Sequence, residues 1–214
     1  MIKILTFKLI TILFLVVNYI SLSQRYNYWK RRFLGFAFVM RNKNCFRHIG
    51  DGCYISSDIV LRNPNDISIG SLSEISRNVT LTTWRSNDSK KGPLIHIGDN
   101  VSIGEGAHIT ASNLIKINDD VLLGKYVTIT DNSHGYSDAT DNFLAPSERE
   151  IVSVGQVVLE ERVWIGDKVT ILPGVRIGEG TVIGSNSVVT KDIPKHSVAV
   201  GNPAKVIKKL TNKN

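Results

Sequence analysis

An aliphatic residue recurs every six positions along much of this chain, and this repeat restricts the possible folds more than any other feature. Between residues 157 and 189 the repeated position holds Leu159, Ile165, Ile171, Ile177, Ile183 and Val189. A second row, two places earlier, holds Val157, Val163, Val169, Val175, Thr181 and Ser187. Glycine follows the first row at Gly166, Gly178 and Gly184. Neither the 3.6-residue period of a helix nor the two-residue alternation of a strand places a glycine every six residues.

The same pattern recurs upstream, for example at Ile97-Gly98, Ile103-Gly104 and Leu123-Gly124. A short strand that ends in a tight corner explains it, because the aliphatic residue points inward and glycine frees the corner from the constraint of a Cβ atom. Three such strands make one coil of a parallel β-helix, in which equivalent residues of successive coils stack on each other. The fold class predicted is therefore all-β, a parallel β-helix of hexapeptide repeats.

Two interruptions divide the repeat. Around Ser112–Asn113 the phase slips by two residues, and residues 131–156 form a polar stretch without the aliphatic register. A loop of that length in a repeat protein is usually functional or disordered. We therefore predict a β-helix domain over residues 46–200 with an inserted loop at 131–156. Residues 201–214 then form a C-terminal capping segment, with a short helix over residues 204–210 after the turn at Gly201-Asn-Pro203.

The net charge of +7 belongs to the first part of the chain. Residues 1–50 contain nine of the 26 Lys and Arg and none of the 19 Asp and Glu, so that residues 51–214 carry a net charge of −2. A nucleic-acid-binding fold would carry its basic patch on the folded domain together with a recognition motif. No nucleic-acid partner is predicted, and an anionic membrane surface explains the asymmetry better.

Residues 1–45 are predicted to form a hydrophobic and basic helical arm. Residues 9–17 are apolar apart from Thr11, and a basic and aromatic stretch at residues 25–33 follows. A signal peptide, a membrane-spanning helix and a helix lying in the membrane interface all remain possible. The stretch at residues 25–33 suits the headgroup level, where aromatic rings and cations anchor proteins. We expect peripheral attachment to the inner face of the cell membrane.

The ordered motifs of residues 48–210 resemble the hexapeptide-repeat acyltransferases, especially those that O-acetylate capsule, exopolysaccharide and O-antigen sugars. The matching motifs are Ile-Thr-Asp131-Asn-Ser-His134-Gly-Tyr, Val-Trp164-Ile-Gly166, Ile-Leu-Pro-Gly174-Val, Gly184-Ser-Asn-Ser-Val-Val-Thr190-Lys191-Asp-Ile-Pro and Gly201-Asn-Pro-Ala-Lys-Val. The resemblance implies a left-handed coil, a homotrimer with active sites between neighbouring subunits, and acetyl-CoA as co-substrate.

The resemblance also implies roles for individual residues. Trp164 matches the aromatic residue beside the pantetheine and acetyl end of CoA, Gly166 belongs to the same motif, and Ser185 matches a residue that lines the cofactor groove. Thr190 and Lys191 match the contact to its adenosine and phosphate end, and Lys208 stands where a basic residue often approaches the CoA phosphate. These six residues are the predicted cofactor-binding set: Trp164, Gly166, Ser185, Thr190, Lys191 and Lys208.

Acetyl transfer to a hydroxyl requires a base, and histidine is the side chain whose ordinary pKa suits that role near neutrality. Of the five histidines, only His134 lies where the aliphatic register ends, within the matching motif, and it is the predicted general base. Asp131 orients its imidazole or caps the turn, and Asn132 beside it is a further candidate for orienting or binding the acceptor. His108 is the second candidate for the base, since it could line the groove.

The function predicted is acetyl-CoA-dependent O-acetylation of a sugar in a surface polysaccharide or its precursor, at the cytoplasmic face of the membrane. The arm favours a lipid-linked acceptor, while a nucleotide-linked or polymeric acceptor remains open. N-acetylation of an amino sugar is the alternative within the same fold. A zinc-dependent hydratase would need several histidines converging from adjacent coils, which the spacings do not provide, so no metal is predicted. A non-enzymatic β-helix scaffold is a further alternative, because fold alone does not confer activity.

Overall fold

In the computed structural model, which describes residues 2–85, 94–136 and 143–210, one long helix precedes six coils of short strands. Helix α1 spans Ile2–Asn42. Short 3-10 turns lie at Lys43–Cys45, Pro64–Asp66 and Pro146–Glu148. Residues 137–142 of the predicted loop and residues 211–214 of the predicted capping segment lie outside the described residues.

The strands follow in chain order, three to a coil. Coil 1 contains β1 (His48–Ile49), β2 (Tyr54–Ile55) and β3 (Val60–Arg62), coil 2 contains β4 (Ile67–Ile69), β5 (Glu74–Ile75) and β6 (Thr80–Thr83), and coil 3 contains β7 (Ile95–Ile97), β8 (Ser102–Ile103) and β9 (His108–Ala111). Coil 4 contains β10 (Ile115–Ile117), β11 (Leu122–Leu123) and β12 (Thr128–Thr130), and the loop after it carries β13 (Ser133–His134) and β14 (Ile151–Val152). Coil 5 contains β15 (Val157–Leu159), β16 (Trp164–Ile165) and β17 (Thr170–Ile171), coil 6 contains β18 (Arg176–Ile177), β19 (Val182–Ile183) and β20 (Val188–Val189), and the chain ends with β21 (Ser197–Gly201) and β22 (Ala204–Lys209).

The coils stack into a prism with three sides. Each side is a sheet in which the strands of the coils are parallel, and we name the three sheets faces A, B and C. Face A contains β1, β4, β7, β10, β15 and β18, face B contains β2, β5, β8, β11, β16, β19, β21 and β22, and face C contains β3, β6, β9, β12, β17 and β20. Each strand pairs in register with its equivalent in the next coil. The predicted parallel β-helix is therefore confirmed.

The repeated aliphatic residues fill the interior of the prism. On face B the stack consists of Ile55, Ile75, Ile103, Leu123, Ile165 and Ile183, all of them buried. Burial of one such side chain stabilises a fold by about 1.5–3 kcal/mol, so the repeated stack supplies the main favourable term. Thr181 and Ser187, the two polar members of the second row, are also buried and bond to carbonyl oxygens of Pro194 and Gly184.

The repeat glycines are required by the close approach of neighbouring coils. A Cβ atom on Gly166 would lie 2.7 Å from the backbone nitrogen of Ser185. The positive φ that each corner needs occurs two residues later, for instance at Asn100 (φ 53) and Lys168 (φ 57). The glycine therefore admits the backbone of the next coil, while a different residue makes the turn.

The C-terminal helix predicted over residues 204–210 is wrong, and the segment forms strand β22. It pairs antiparallel with β21 after the turn at residues 201–204. The last strand of face B would otherwise expose a row of unpaired N–H and C=O groups, which β22 satisfies. Val206 and Ile207 also favour a strand over a helix. Lys208 consequently lies on this strand and not at a helix terminus.

Helix α1 has an exposed apolar part and a part that contacts the prism. From Leu9 onward it is long and apolar enough to cross a membrane by length and composition alone. Leu9 and Phe14 keep about two thirds of their surface exposed. Near its end Gly35 and Val39 are buried, and the Arg32 guanidinium lies 4.7 Å from the centre of the Tyr54 ring. The prediction of a helical arm is confirmed.

Candidate functional site

The insertions into the repeat occur at one corner of the prism, where face C leads into face A. In chain order the long connections from β6 to β7 and from β12 to β15 both begin after a face C strand, and so does the two-residue phase slip near Ser112–Asn113. We call this edge the C–A corner. Because the other two corners keep the regular hexapeptide spacing, the C–A corner is where the chain departs from a purely structural repeat.

His134 is held at the C–A corner by a short antiparallel strand pair. β13 pairs with β14, with Ser133 opposite Val152 and His134 opposite Ile151. The Gly135 N–H donates to the Glu150 carbonyl oxygen at 2.8 Å, and Gly135 has a φ of 78°. The His134 side chain is exposed. The loop therefore presents an accessible imidazole on a backbone fixed by hydrogen bonds.

Asp131 is fully buried, and its carboxylate binds backbone N–H groups. Ser112, Asn113 and Leu114 donate their N–H groups to it at 2.8, 2.9 and 2.7 Å. These three residues form the phase slip one coil below Asp131. Their backbone N–H groups donate to the carboxylate and not to a carbonyl oxygen of the regular repeat. Both oxygens are thus engaged, and the geometry supports the capping role rather than contact with the imidazole.

Asn132 links the loop to coil 3. Its side-chain amide donates to the Thr110 carbonyl oxygen at 3.2 Å and to the Asp131 carboxylate at 3.0 Å. These bonds secure the chain two residues before His134. The contacts of Asn132 are structural in this chain, and a contact to the acceptor remains a prediction.

The predicted cofactor residues fall into two groups. Trp164 lies on the outer side of face B with 53% of its surface exposed, and Gly166 and Ser185 lie at the corner between faces B and C. Ser185 accepts a hydrogen bond from the Asp167 N–H at 3.1 Å. Lys208 lies on β22, at the end of face B. Thr190 and Lys191 belong to the second group, because they are exposed at the C–A corner after β20.

The two groups lie on opposite sides of one prism. In a triangular cross-section the corner shared by two faces is opposite the third face. His134 and Lys191 at the C–A corner are therefore separated from Trp164 on face B by the thickness of the aliphatic core. One copy of the chain does not bring the predicted base and the predicted aromatic contact together.

The remaining histidines lie elsewhere on the coils. His96 is half-buried on face A, where burial and, secondarily, the Lys116 charge lower its pKa. His108 is exposed on face C in the row of Thr80 and Thr128, one coil below the loop. Among the residues that the structure describes, no group of three or more His, Cys, Asp and Glu side chains could hold a metal ion.

The sequence did not predict what Asp131 binds. A signal was present, because a two-residue slip leaves backbone amides that need an acceptor, and an aspartate follows at the equivalent corner one coil later. The spacing between Asp131 and the slip is close to one coil. A search for acceptors one coil away from each phase slip would have found it.

Comparison with known proteins identifies close similarity in sequence and fold. The sequence profile described as bacterial transferase hexapeptide (six repeats) matches residues 156–191. A protein of Escherichia coli (strain K12) with the provisional name lipopolysaccharide biosynthesis O-acetyl transferase WbbJ is 36% identical over 173 residues, which cover 79% of this chain and 82% of that protein.

Two solved structures share the fold. AntD, an N-acyltransferase from Bacillus cereus in complex with dTDP and 3-hydroxybutyryl-CoA, superimposes with a TM-score of 0.66 at 22% identity, over 80% of this chain and 87% of AntD. Galactoside acetyltransferase in complex with coenzyme A gives a TM-score of 0.54 at 25% identity, over 79% of this chain and 68% of the galactoside enzyme. The coil is thus the left-handed β-helix of these acyltransferases.

Proposed function

This chain belongs to the hexapeptide-repeat transferases, and we propose that it is an O-acetyltransferase that moves the acetyl group of acetyl-CoA to a sugar of a surface polysaccharide or its precursor. The observation that carries the proposal is the exposed His134 imidazole, held on a strand pair at the C–A corner. The relative named for O-acetyl transfer in lipopolysaccharide biosynthesis supports the choice of reaction and acceptor class.

In the proposed mechanism His134 removes the proton of a sugar hydroxyl as its oxygen attacks the thioester carbonyl. Formation of the new C–O bond gives a tetrahedral intermediate. Backbone N–H groups at the tight corners stabilise its oxyanion. Collapse of the intermediate breaks the C–S bond, and the imidazolium returns its proton to the CoA thiolate. The products are the acetyl ester and free CoA, and no covalent enzyme intermediate is needed.

A second copy of the chain completes the proposed site. Because His134 and Trp164 lie on opposite sides of one prism, a thioester can touch both only between two prisms. A closed ring of three copies gives every subunit one such contact on each side. The proposed assembly is therefore a homotrimer in which His134 and Lys191 of one subunit face Trp164 and Ser185 of its neighbour.

The alternative reaction is N-acetylation of an amino sugar. AntD, which shares the fold, is an N-acyltransferase. A neutral amine attacks a thioester without prior loss of a proton, so that a base matters less than for a hydroxyl. The two reactions leave chemically different products, because mild alkali cleaves an acetyl ester and leaves an acetamide intact.

Mass spectrometry of surface glycans tests the proposal in the cell. We expect deletion of the gene to remove an acetyl group from a surface glycan, and the full chain supplied in trans to restore it. The restored acetyl should be lost in mild alkali. An unchanged glycan mass in the deletion strain would contradict the function, and an alkali-stable acetyl would establish the N-acetyl alternative.

We also propose that the arm, residues 1–45, attaches the enzyme to the inner face of the cell membrane. The apolar side chains from Leu9 to Val17 are exposed in the structure, and a basic and aromatic stretch follows them. Such a sequence binds the hydrocarbon boundary and the anionic headgroups together. Acetyl-CoA is made inside the cell, which places the catalytic part in the cytoplasm.

Flotation with vesicles tests the attachment. We expect the full chain to float with vesicles that contain anionic phospholipid, and a variant with Leu9, Leu13 and Phe14 replaced by Asp to remain at the bottom of the gradient. Charged residues at these positions cost several kcal/mol in a membrane. A variant with Asp at the exposed prism residues Leu72 and Val60 is the matched control, and its loss from the vesicles would contradict a role of the arm.

A further inference from the structure

A groove runs along face B between the prism and helix α1. The outer side chains of this face form one row, one residue to a coil: Tyr54, Glu74, Ser102, Leu122 and Trp164. Arg32 of the helix pairs with Glu74 at 3.1 Å and holds the helix beside the first coils. The space left between the two has a volume of about 390 Å³ and is lined by Tyr28 and Arg31 from the helix.

The charges in the groove are balanced. Arg32 is paired with Glu74, and Arg77 is paired with Glu105 at 2.8 Å. The other charged side chains of the lining are two basic and two acidic ones: Arg31, Lys125, Asp58 and Asp167. A groove of this kind has no strong preference for an anion or a cation. Its guanidinium groups can donate hydrogen bonds to hydroxyl groups, and its carboxylates can accept hydrogen bonds from them. A tyrosine ring can cover an apolar sugar face. The chemistry suits a neutral ligand rich in hydroxyl groups, namely a saccharide.

The groove lies on one side of Trp164 along the prism axis. It extends from coil 1 to the corner beside Trp164, where Asp167 lines its end. Ser185 and Lys208, which the proposed function assigns to CoA, lie on the opposite side, in coil 6 and the final strand. Acetyl-CoA would therefore reach Trp164 from the C-terminal coils, and the acceptor would reach Trp164 from the N-terminal coils.

We propose that this groove binds the acceptor saccharide and that helix α1 forms one wall of the site through Tyr28 and Arg31. The inference rests on the proposed function. Tyr28 follows the last residue of the apolar run, Val17, by roughly 17 Å along a helix. A glycan that extends from a membrane lipid by a few sugars covers that distance. The arm would then both attach the enzyme and present the membrane-bound acceptor to the groove.

Steady-state kinetics of helix variants test the proposal. The full chain in detergent would be assayed with radiolabelled acetyl-CoA and lipid-linked glycans extracted from membranes of the source cells. We expect Tyr28→Ala and Arg31→Ala each to raise the KM for the glycan by about tenfold, with the KM for acetyl-CoA changed less than about twofold. Tyr26→Ala and Arg25→Ala are the matched controls, since these residues lie on the same helix and do not line the groove.

A variant that fills the groove provides a second measurement. Ser102 points outward from the floor of the groove, between Glu74 and Leu122. We expect Ser102→Trp to abolish transfer to the glycan while calorimetry still shows acetyl-CoA binding. Unchanged glycan KM values in Tyr28→Ala and Arg31→Ala, or full transfer by Ser102→Trp, would overturn the inference. A wild-type enzyme that transfers no acetyl group to any glycan would instead overturn the proposed function.

Discussion

Replacement of His134 by alanine should lower kcat for acetyl transfer about a thousandfold while the protein stays folded. A positioned general base contributes typically 10²–10⁴ to the rate, and the exposed imidazole makes no contact that the core needs. The measurement is the release of CoA thiol in the presence of the glycan acceptor, together with calorimetry of acetyl-CoA binding. His108→Ala is the matched control, because His108 is also exposed, one coil below, on face C.

Mixing two inactive variants tests whether the site is shared between subunits. His134→Ala and Trp164→Ala would each damage a different half of the proposed site. In trimers assembled from an equal mixture, about a quarter of the interfaces would combine an intact His134 with an intact Trp164 of the neighbour. We therefore expect the trimers assembled from this mixture, taken together, to recover about a quarter of the wild-type rate. No recovery would contradict a site between subunits, and full activity of His134→Ala alone would exclude the base assigned here.

Replacement of Asp131 by alanine should destabilise the protein by about 2–4 kcal/mol, because three backbone N–H groups lose their acceptor. These donors, at Ser112, Asn113 and Leu114, hold the irregular turn of the coil below. Thermal unfolding followed by circular dichroism would show a fall in Tm of roughly 5–15 °C. We expect activity to fall with it, since the loop that carries His134 begins at this residue.

Asp119→Ala is the matched control for this prediction. Asp119 is exposed and accepts one backbone N–H, from Asp99 at 2.8 Å, so its loss should cost less than about 1 kcal/mol. If Asp131 instead orients the imidazole, Asp131→Ala would shift the pH–rate profile and leave Tm nearly unchanged. That result would contradict the capping role.

Most of the fold follows from spacing alone. The six-residue period predicts which side chains point inward, and Ile165 and Ile183 are buried as expected. The C-terminal segment was not predicted correctly, because its strand depends on the unpaired edge of β21, a partner that no local pattern indicates. The family resemblance, which rests on motifs around His134, Trp164 and Lys191, is confirmed by the comparisons.

The sequence by itself therefore determined the coil, its aliphatic core, the arm and the position in the chain of the candidate base. Only the tertiary structure decided which of these residues share an edge. It places His134 with Lys191 and opposite Trp164, and it joins Asp131 to an irregular turn in the coil below. The physical reason is that a local repeat decides the direction of a side chain, inward or outward. Neighbours across coils depend on how many residues each corner inserts, and a contact with helix α1 depends on its docking against face B.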